Sequence, residues 1–194
     1  LLEQMKRCHE YEVLLTQQLR IMRKSITTRT DEDLRRIQQI YTNPLIADEQ
    51  NSNSDEAKFL RHTILVHHHQ ITGNPEELYK ATQQLITLLN QGTAFAAQIM
   101  RRLWAYSQLT QACYFTQRWN ELEQYLAELK AIETITQTES IAQFTYYAQL
   151  AITLYDNNGR KDELQRLLKE CSEKLDAFGN NIRPDVRLAI SITV

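Results

Sequence analysis

The sequence predicts an all-α protein built as a stack of antiparallel helix hairpins, a solenoid of about nine helices. Three observations carry this prediction. All four glycines and all three prolines fall between helix-periodic segments, where residues that destabilise helix interiors belong. Helix-start signatures open several of those segments. The turn inside each hairpin also recurs at a nearly constant interval.

Apolar periodicity and caps place helices at about 1–26, 31–41, 55–72, 75–90, 94–116, 119–134, 138–157, 161–177 and from 184 onward. Thr30-Asp31-Glu32-Asp33 is a loose capping box, and Thr136-Gln137-Thr138-Glu139 a full one. Asn74-Pro75-Glu76-Glu77 sets an N-cap asparagine before a proline at the first helical position. The second helix of each pair carries an amphipathic stripe: Leu78, Leu85, Leu88 and Leu89; then Leu122, Tyr125, Leu126, Leu129 and Ile132; then Leu164, Leu167, Leu168, Cys171 and Leu175. Such a stripe must be buried against a neighbouring helix. No stretch sustains period-2 alternation, so no strand is predicted.

The repeat shows in the first apolar residue after each turn. Leu34, Leu78, Leu122 and Leu164 follow one another at intervals of 44, 44 and 42 residues, each directly preceded by an acid. Residues 1–54 are expected to form an N-terminal helical hairpin and a connecting loop. Residues 55–194 are expected to form the hairpin array, the whole being one continuous solenoid with its last hairpin cut short. Leu1 stands inside an evident helix, so the chain reads as a piece of a longer polypeptide.

Composition excludes more than it assigns. Hydrophobic residues at 42% and charged residues at 24% suit a globular domain. A net charge of −2 supplies no long-range field for nucleic acid or an anionic membrane. Arg35-Arg36, beside acids, and Arg101-Arg102 are isolated pairs rather than a basic stripe, so no nucleic-acid partner is expected. Apolar runs fall far short of the ~20 residues of a membrane helix, so no membrane insertion is expected. Cys8, Cys113 and Cys171 are widely spaced within helical apolar patterns, as suits buried thiols rather than a disulfide or zinc site.

With their period and turns on view, these residues resemble the tetratricopeptide superfamily, whose usual repeat has about 34 residues. Leu65, Leu109 and Ala151 fall at that family's helix-A leucine, and Pro75, Trp119 and Lys161 at its turn position. Leu78, Leu122 and Leu164 stand where it normally has alanine, which implies wider helix spacing. The chain is also similar to a group of bacterial tetratricopeptide-like proteins of unassigned function, through Tyr41-Thr42-Asn43-Pro44-Leu45-Ile46-Ala47-Asp48-Glu49 and Glu56-Ala57-Lys58-Phe59. The resemblance implies a right-handed solenoid that binds a protein or peptide on its concave face. Carrying the family's groove positions across implies a lining of Thr63, His67 and Gln70, then Ser107, Gln111 and Tyr114, then Gln149, Thr153 and Asp156.

No catalytic motif appears, and no enzyme activity or cofactor is expected. GxGxxG, GxxxxGK[ST] and GxSxG are all missing from the sequence. His62 and His67-His68-His69 share one predicted helix, yet three successive side chains point ~100° apart and cannot converge on one metal ion. His68 aligns with Ala112 and Leu154, which read as core positions. The aromatic series Trp104, Tyr106, Tyr114, Phe115, Tyr146, Tyr147 and Tyr155 reads mostly as interhelix core. The expectation is a cytoplasmic, non-enzymatic scaffold for a protein or peptide partner, with room for a homodimer. The runner-up is a peptide-sensing domain that controls an effector elsewhere in the polypeptide.

Overall fold

The computed structural model describes residues 2–91 and 98–179. Among them are nine α-helices and no strand. The chain divides into two compact units, Leu1–Ala96 and Ala97–Val194. The helix expected from Pro184 and the expected start of a helix at residue 94 lie outside the described residues.

The first unit contains α1 (Leu2–Met22), α2 (Asp31–Tyr41), the single-turn α3 (Pro44–Ala47), α4 (Asp55–Thr72) and α5 (Pro75–Gln91). Its main packing pairs are α4 with α5 and α1 with α4, while α2 meets α1 much less. Gln18 on α1, fully buried, donates to the Ile64 carbonyl of α4 at 3.0 Å. The Tyr11 hydroxyl donates to the Leu45 carbonyl at 2.7 Å, and Arg7 Nη1 to the Asn51 side-chain oxygen at 3.1 Å. Residues 2–54 thus pack in one unit with α4. The short α3 was not expected. Its sequence signal is Asn43-Pro44: the Asn43 Oδ1 accepts from the Leu45 N–H at 3.0 Å, and Pro44 opens the turn.

The second unit contains α6 (Ile99–Phe115), α7 (Trp119–Ala131), α8 (Gln137–Asn157) and α9 (Lys161–Phe178). α6 packs on α7 and on α8, α7 on α8, and α8 on α9. Gln143 of α8 closes the end of α7, donating to the carbonyls of Leu129 at 2.9 Å and Ile132 at 2.6 Å. The last carbonyls of a helix lack the partner that a continuing helix would supply, and that of Leu129 also accepts from the Ile132 N–H at 3.4 Å. The helix ends at Ala131, three residues before the expected boundary, because Ile132 turns to extended backbone.

Three of the hairpin turns are the same object. Gly73, Gln117 and Gly159 each adopt left-handed backbone, with φ of 67°, 57° and 65°. The next residue's N–H then reaches back five residues: Asn74 to the His69 carbonyl, Arg118 to Cys113 and Arg160 to Tyr155, at 2.8–3.0 Å. This is the Schellman closure of a helix C-terminus. Its recurrence at intervals of 44 and 42 residues is the sequence period expressed as backbone geometry.

The α1–α2 connection departs from that pattern. A 3-10 turn at Ile26–Thr28 and an extended Arg29 (φ −72°, ψ 134°) replace the left-handed closure. The register leucine follows suit: Leu34 is 49% exposed, whereas Leu78 and Leu122 are buried and Leu164 is half-buried. Asp33 instead faces inward. Its carboxylate accepts from Lys24 Nζ at 2.7 and 2.8 Å and from the Thr30 N–H at 2.9 Å, completing the capping box. Turning one residue inward on an α-helix turns its neighbour by ~100°.

Candidate functional site

The nine residues carried across by register fall three in the first unit and six in the second. In the first, Thr63 and His67 are buried and Gln70 is half-buried. The Thr63 hydroxyl donates to the Phe59 carbonyl at 2.8 Å. In the second, Ser107 is buried and donates to the Trp104 carbonyl at 2.6 Å. Gln111, Tyr114 and Thr153 are half-buried, and Gln149 and Asp156 are exposed. Thr63, His67 and Ser107 are therefore interior residues rather than accessible lining. Small hydroxyl side chains can go inside because the backbone carbonyl three or four residues earlier satisfies them.

Tyr114 is turned toward its own hairpin turn. Its ring meets Phe115 and Trp119 edge-on, with centroids 5.6 and 5.8 Å apart. The accessible stripe of α6 is a different one, formed by Met100, Trp104, Gln108, Gln111 and Phe115, with Met100 and Phe115 most exposed. These positions follow one another at intervals of three or four and so share one helix face. The spacing was legible in the sequence, but the aromatic residues of this helix were mostly assigned to the core. Of the aromatic series expected there, Tyr106 alone is buried, and Phe115 is 54% exposed. Tyrosines stay half-out because their hydroxyls seek polar partners. Tyr106 donates to Glu128 at 3.0 Å, and the Tyr147 and Tyr155 hydroxyls lie 3.4 Å apart.

The histidine row of α4 lies inside the first unit. His62, His67 and His68 are buried, and burial pushes each imidazole down to about 4. Arg61 adds to the effect at His62, and His69 at His68. His68 stacks on Tyr41, ring centroids 3.9 Å apart and planes within 10°. Its burial matches that of Ala112 and Leu154, the positions it aligns with. Among the described residues, no three His, Cys, Asp or Glu side chains are grouped to hold a metal ion, and no helix is long and apolar enough to cross a membrane.

A cleft of about 550 Å³ opens between α1 and α2 of the first unit. Leu14, Ile21 and Ile40 supply aliphatic surface, Gln17, Gln39 and Asn43 amides, and Arg20, Lys24, Arg36 and Asp33 the charges. The sequence reading missed it, treating Arg35-Arg36 as an isolated pair beside acids. The signal was present: residues 20–36 contain six cations and three acids in a chain of net charge −2. A smaller hollow of about 220 Å³ in the second unit, beside Tyr147 and Tyr155, is lined by Lys130, Glu163 and Glu170. It is occupied by its own partners. Lys130 Nζ sits 4.7 Å from the Tyr147 ring centroid, and the Arg160 guanidinium 4.6 Å from that of Tyr155. No family model, curated protein or solved structure matches this chain.

Proposed function

We propose that this chain is a non-enzymatic module that binds a protein or peptide, built as a tetratricopeptide-like right-handed solenoid. The observation that carries the reading is the recurrence of one Schellman turn at 73, 117 and 159, with the first helices α6 and α8 of successive hairpins packed together. Hairpins repeated in this way present equivalent faces of equivalent helices in series. In the second unit that face offers Met100, Trp104, Gln111 and Phe115 from α6 and, at the equivalent positions 42 residues on, Tyr146, Thr153 and Asn157 from α8. It combines exposed apolar area with uncharged hydrogen-bonding groups, which suits an extended chain held at several points. Tyr114 meets the Phe115 ring edge-on and so bears on its orientation.

The test is selection from a random-peptide display library, followed by calorimetric titration of the enriched peptides against variants. Phe115→Ala and Tyr114→Ala should each weaken binding by about 1–2 kcal/mol, the scale of an interface anchor. A library that yields no binder, or binders indifferent to both substitutions, would remove this reading of the α6–α8 face.

A further inference from the structure

We infer that the cleft between α1 and α2 is a second binding place, specific for an acidic polypeptide segment that inserts aliphatic side chains between the two helices. The inference rests on the reading of the chain as a polypeptide-binding module and adds the chemistry of the partner.

The cleft exists because α1 and α2 are joined by a 3-10 turn and extended backbone rather than by the Schellman turn of the other hairpins. Two helices so joined are not drawn into full contact, and aliphatic residues that would otherwise meet are left along the gap. Ile21 and Ile40 form its buried floor, and Leu14 is half-buried at its wall. A volume of about 550 Å³ takes a few side chains, not a folded domain.

Charge identifies what else the occupant carries. Lys24 is held by Asp33, and Arg36 shares Glu32 with Arg35 at 3.1 Å. Arg20 enters no ion pair among the described residues and stands exposed on the cleft wall. Its guanidinium can take a carboxylate through two parallel hydrogen bonds. Gln17 on α1 and Gln39 on α2 both line the cleft and are exposed, and their amides can both donate to and accept from a peptide backbone. Nucleic acid fits poorly, because single strands are held by aromatic stacking and the lining contains no aromatic residue.

The experiment uses the full chain and fluorescently labelled synthetic probes of about a dozen residues. One probe alternates glutamate with leucine at helical spacing, a second has the leucines replaced by serine, a third has lysine for glutamate, and the fourth is a single-stranded oligonucleotide. Anisotropy titration should show the glutamate–leucine probe binding best, with the serine version about tenfold weaker. Arg20→Glu should weaken the best probe about tenfold by reversing a charge at the site. It should leave circular dichroism unchanged and lower the melting midpoint only slightly, since Arg20 enters no ion pair among the described residues and loses only its place in the last turn of α1. Phe115→Ala should have no effect on this probe. Equal affinity for Arg20→Glu, failure of the acidic probe to bind, or tighter binding of the oligonucleotide would each overturn the inference. If library-selected peptides bind through Phe115 while the glutamate–leucine probe ignores Arg20→Glu, this inference falls and the function proposed above stands.

Discussion

Leu122 is the first apolar residue after a repeated turn and is fully buried, so its replacement reports directly on the packing of α6, α7 and α8. Leu122→Ala should cost about 2–5 kcal/mol in denaturant melts, the range for a large aliphatic truncated in a closed core. A loss under about 0.5 kcal/mol would show that the site is not core. Leu164, at the equivalent position, is half-buried and should cost less than Leu122. The cysteines divide similarly. Cys113 and Cys171 are fully buried, and burial pushes their thiols up to about 12 and about 11. Cys8 is half-buried beside the Ser54 hydroxyl, 3.7 Å away. A thiol reagent at neutral pH should therefore label Cys8 first, and the other two only as the chain unfolds, because the thiolate is the reacting species. Mass mapping of the labelled peptides reads the order.

The hairpin turns are the elements where sequence and backbone correspond most closely. Gln117 holds the left-handed conformation that glycine occupies at 73 and 159, and side chains pay a steric cost there. Gln117→Gly should therefore stabilise the protein by up to about 1 kcal/mol, less whatever the unfolded chain gains in freedom. Gly73→Ala should destabilise it by about 1 kcal/mol, and from backbone strain alone, because a Cβ there meets no atom within 4 Å. Thermal melts that place both changes on the same side of wild type would contradict the shared-turn description. At the start of α8, the Thr136 hydroxyl accepts from the Glu139 N–H at 3.2 Å, while the Glu139 carboxylate accepts from the Thr136 N–H at 2.8 Å. Thr136→Ala should cost about 1 kcal/mol by removing half of that cap.

For the whole molecule, the buried histidines of α4 set the response to acid. His62 and His67 titrate near 4 in the fold, against 6.5 for a solvated imidazole. Between those values the unfolded chain binds protons that the folded chain refuses. Stability is thus fully present above pH 6.5 and is lost as pH falls toward 4, by roughly 3 kcal/mol for each such histidine. Asp33, held down to about 2 first by Lys24 and then by the Thr30 N–H, contributes in a separate window below its ordinary 3.8. Urea melts between pH 7 and pH 4.5 should show a steep loss in the wild type. His67→Gln should flatten that slope, and a wild-type midpoint that does not move over this interval would mean that the imidazoles are solvated.

The sequence by itself determined the described helices other than α3, with the capping boxes at Thr30 and Thr136 and the spacing of the turns. Those features depend on interactions within a few residues: Thr30 with Asp33, Thr136 with Glu139, and a glycine or glutamine just after α4, α6 and α8. The boundaries of α2 and α4 were read to the residue for that reason. Which side of each helix meets the core was decided by tertiary structure. Leu34 lost the inward position to Asp33 because Lys24, nine residues away, was there to pair with it. His67 and Ser107 went inside, whereas Phe115 stayed out, although helical spacing alone suits each of them to either place. The excess of cations in residues 20–36 was legible, but the cleft between α1 and α2 that some of them line was out of reach for the same reason. It depends on the path of the chain from residue 23 to residue 30 and on α1 packing along α4, and neither leaves a periodic mark in the sequence. Local hydrogen bonds are encoded where they form. A helix face is assigned by whatever packs against it, and a shift of one residue turns that face by ~100°.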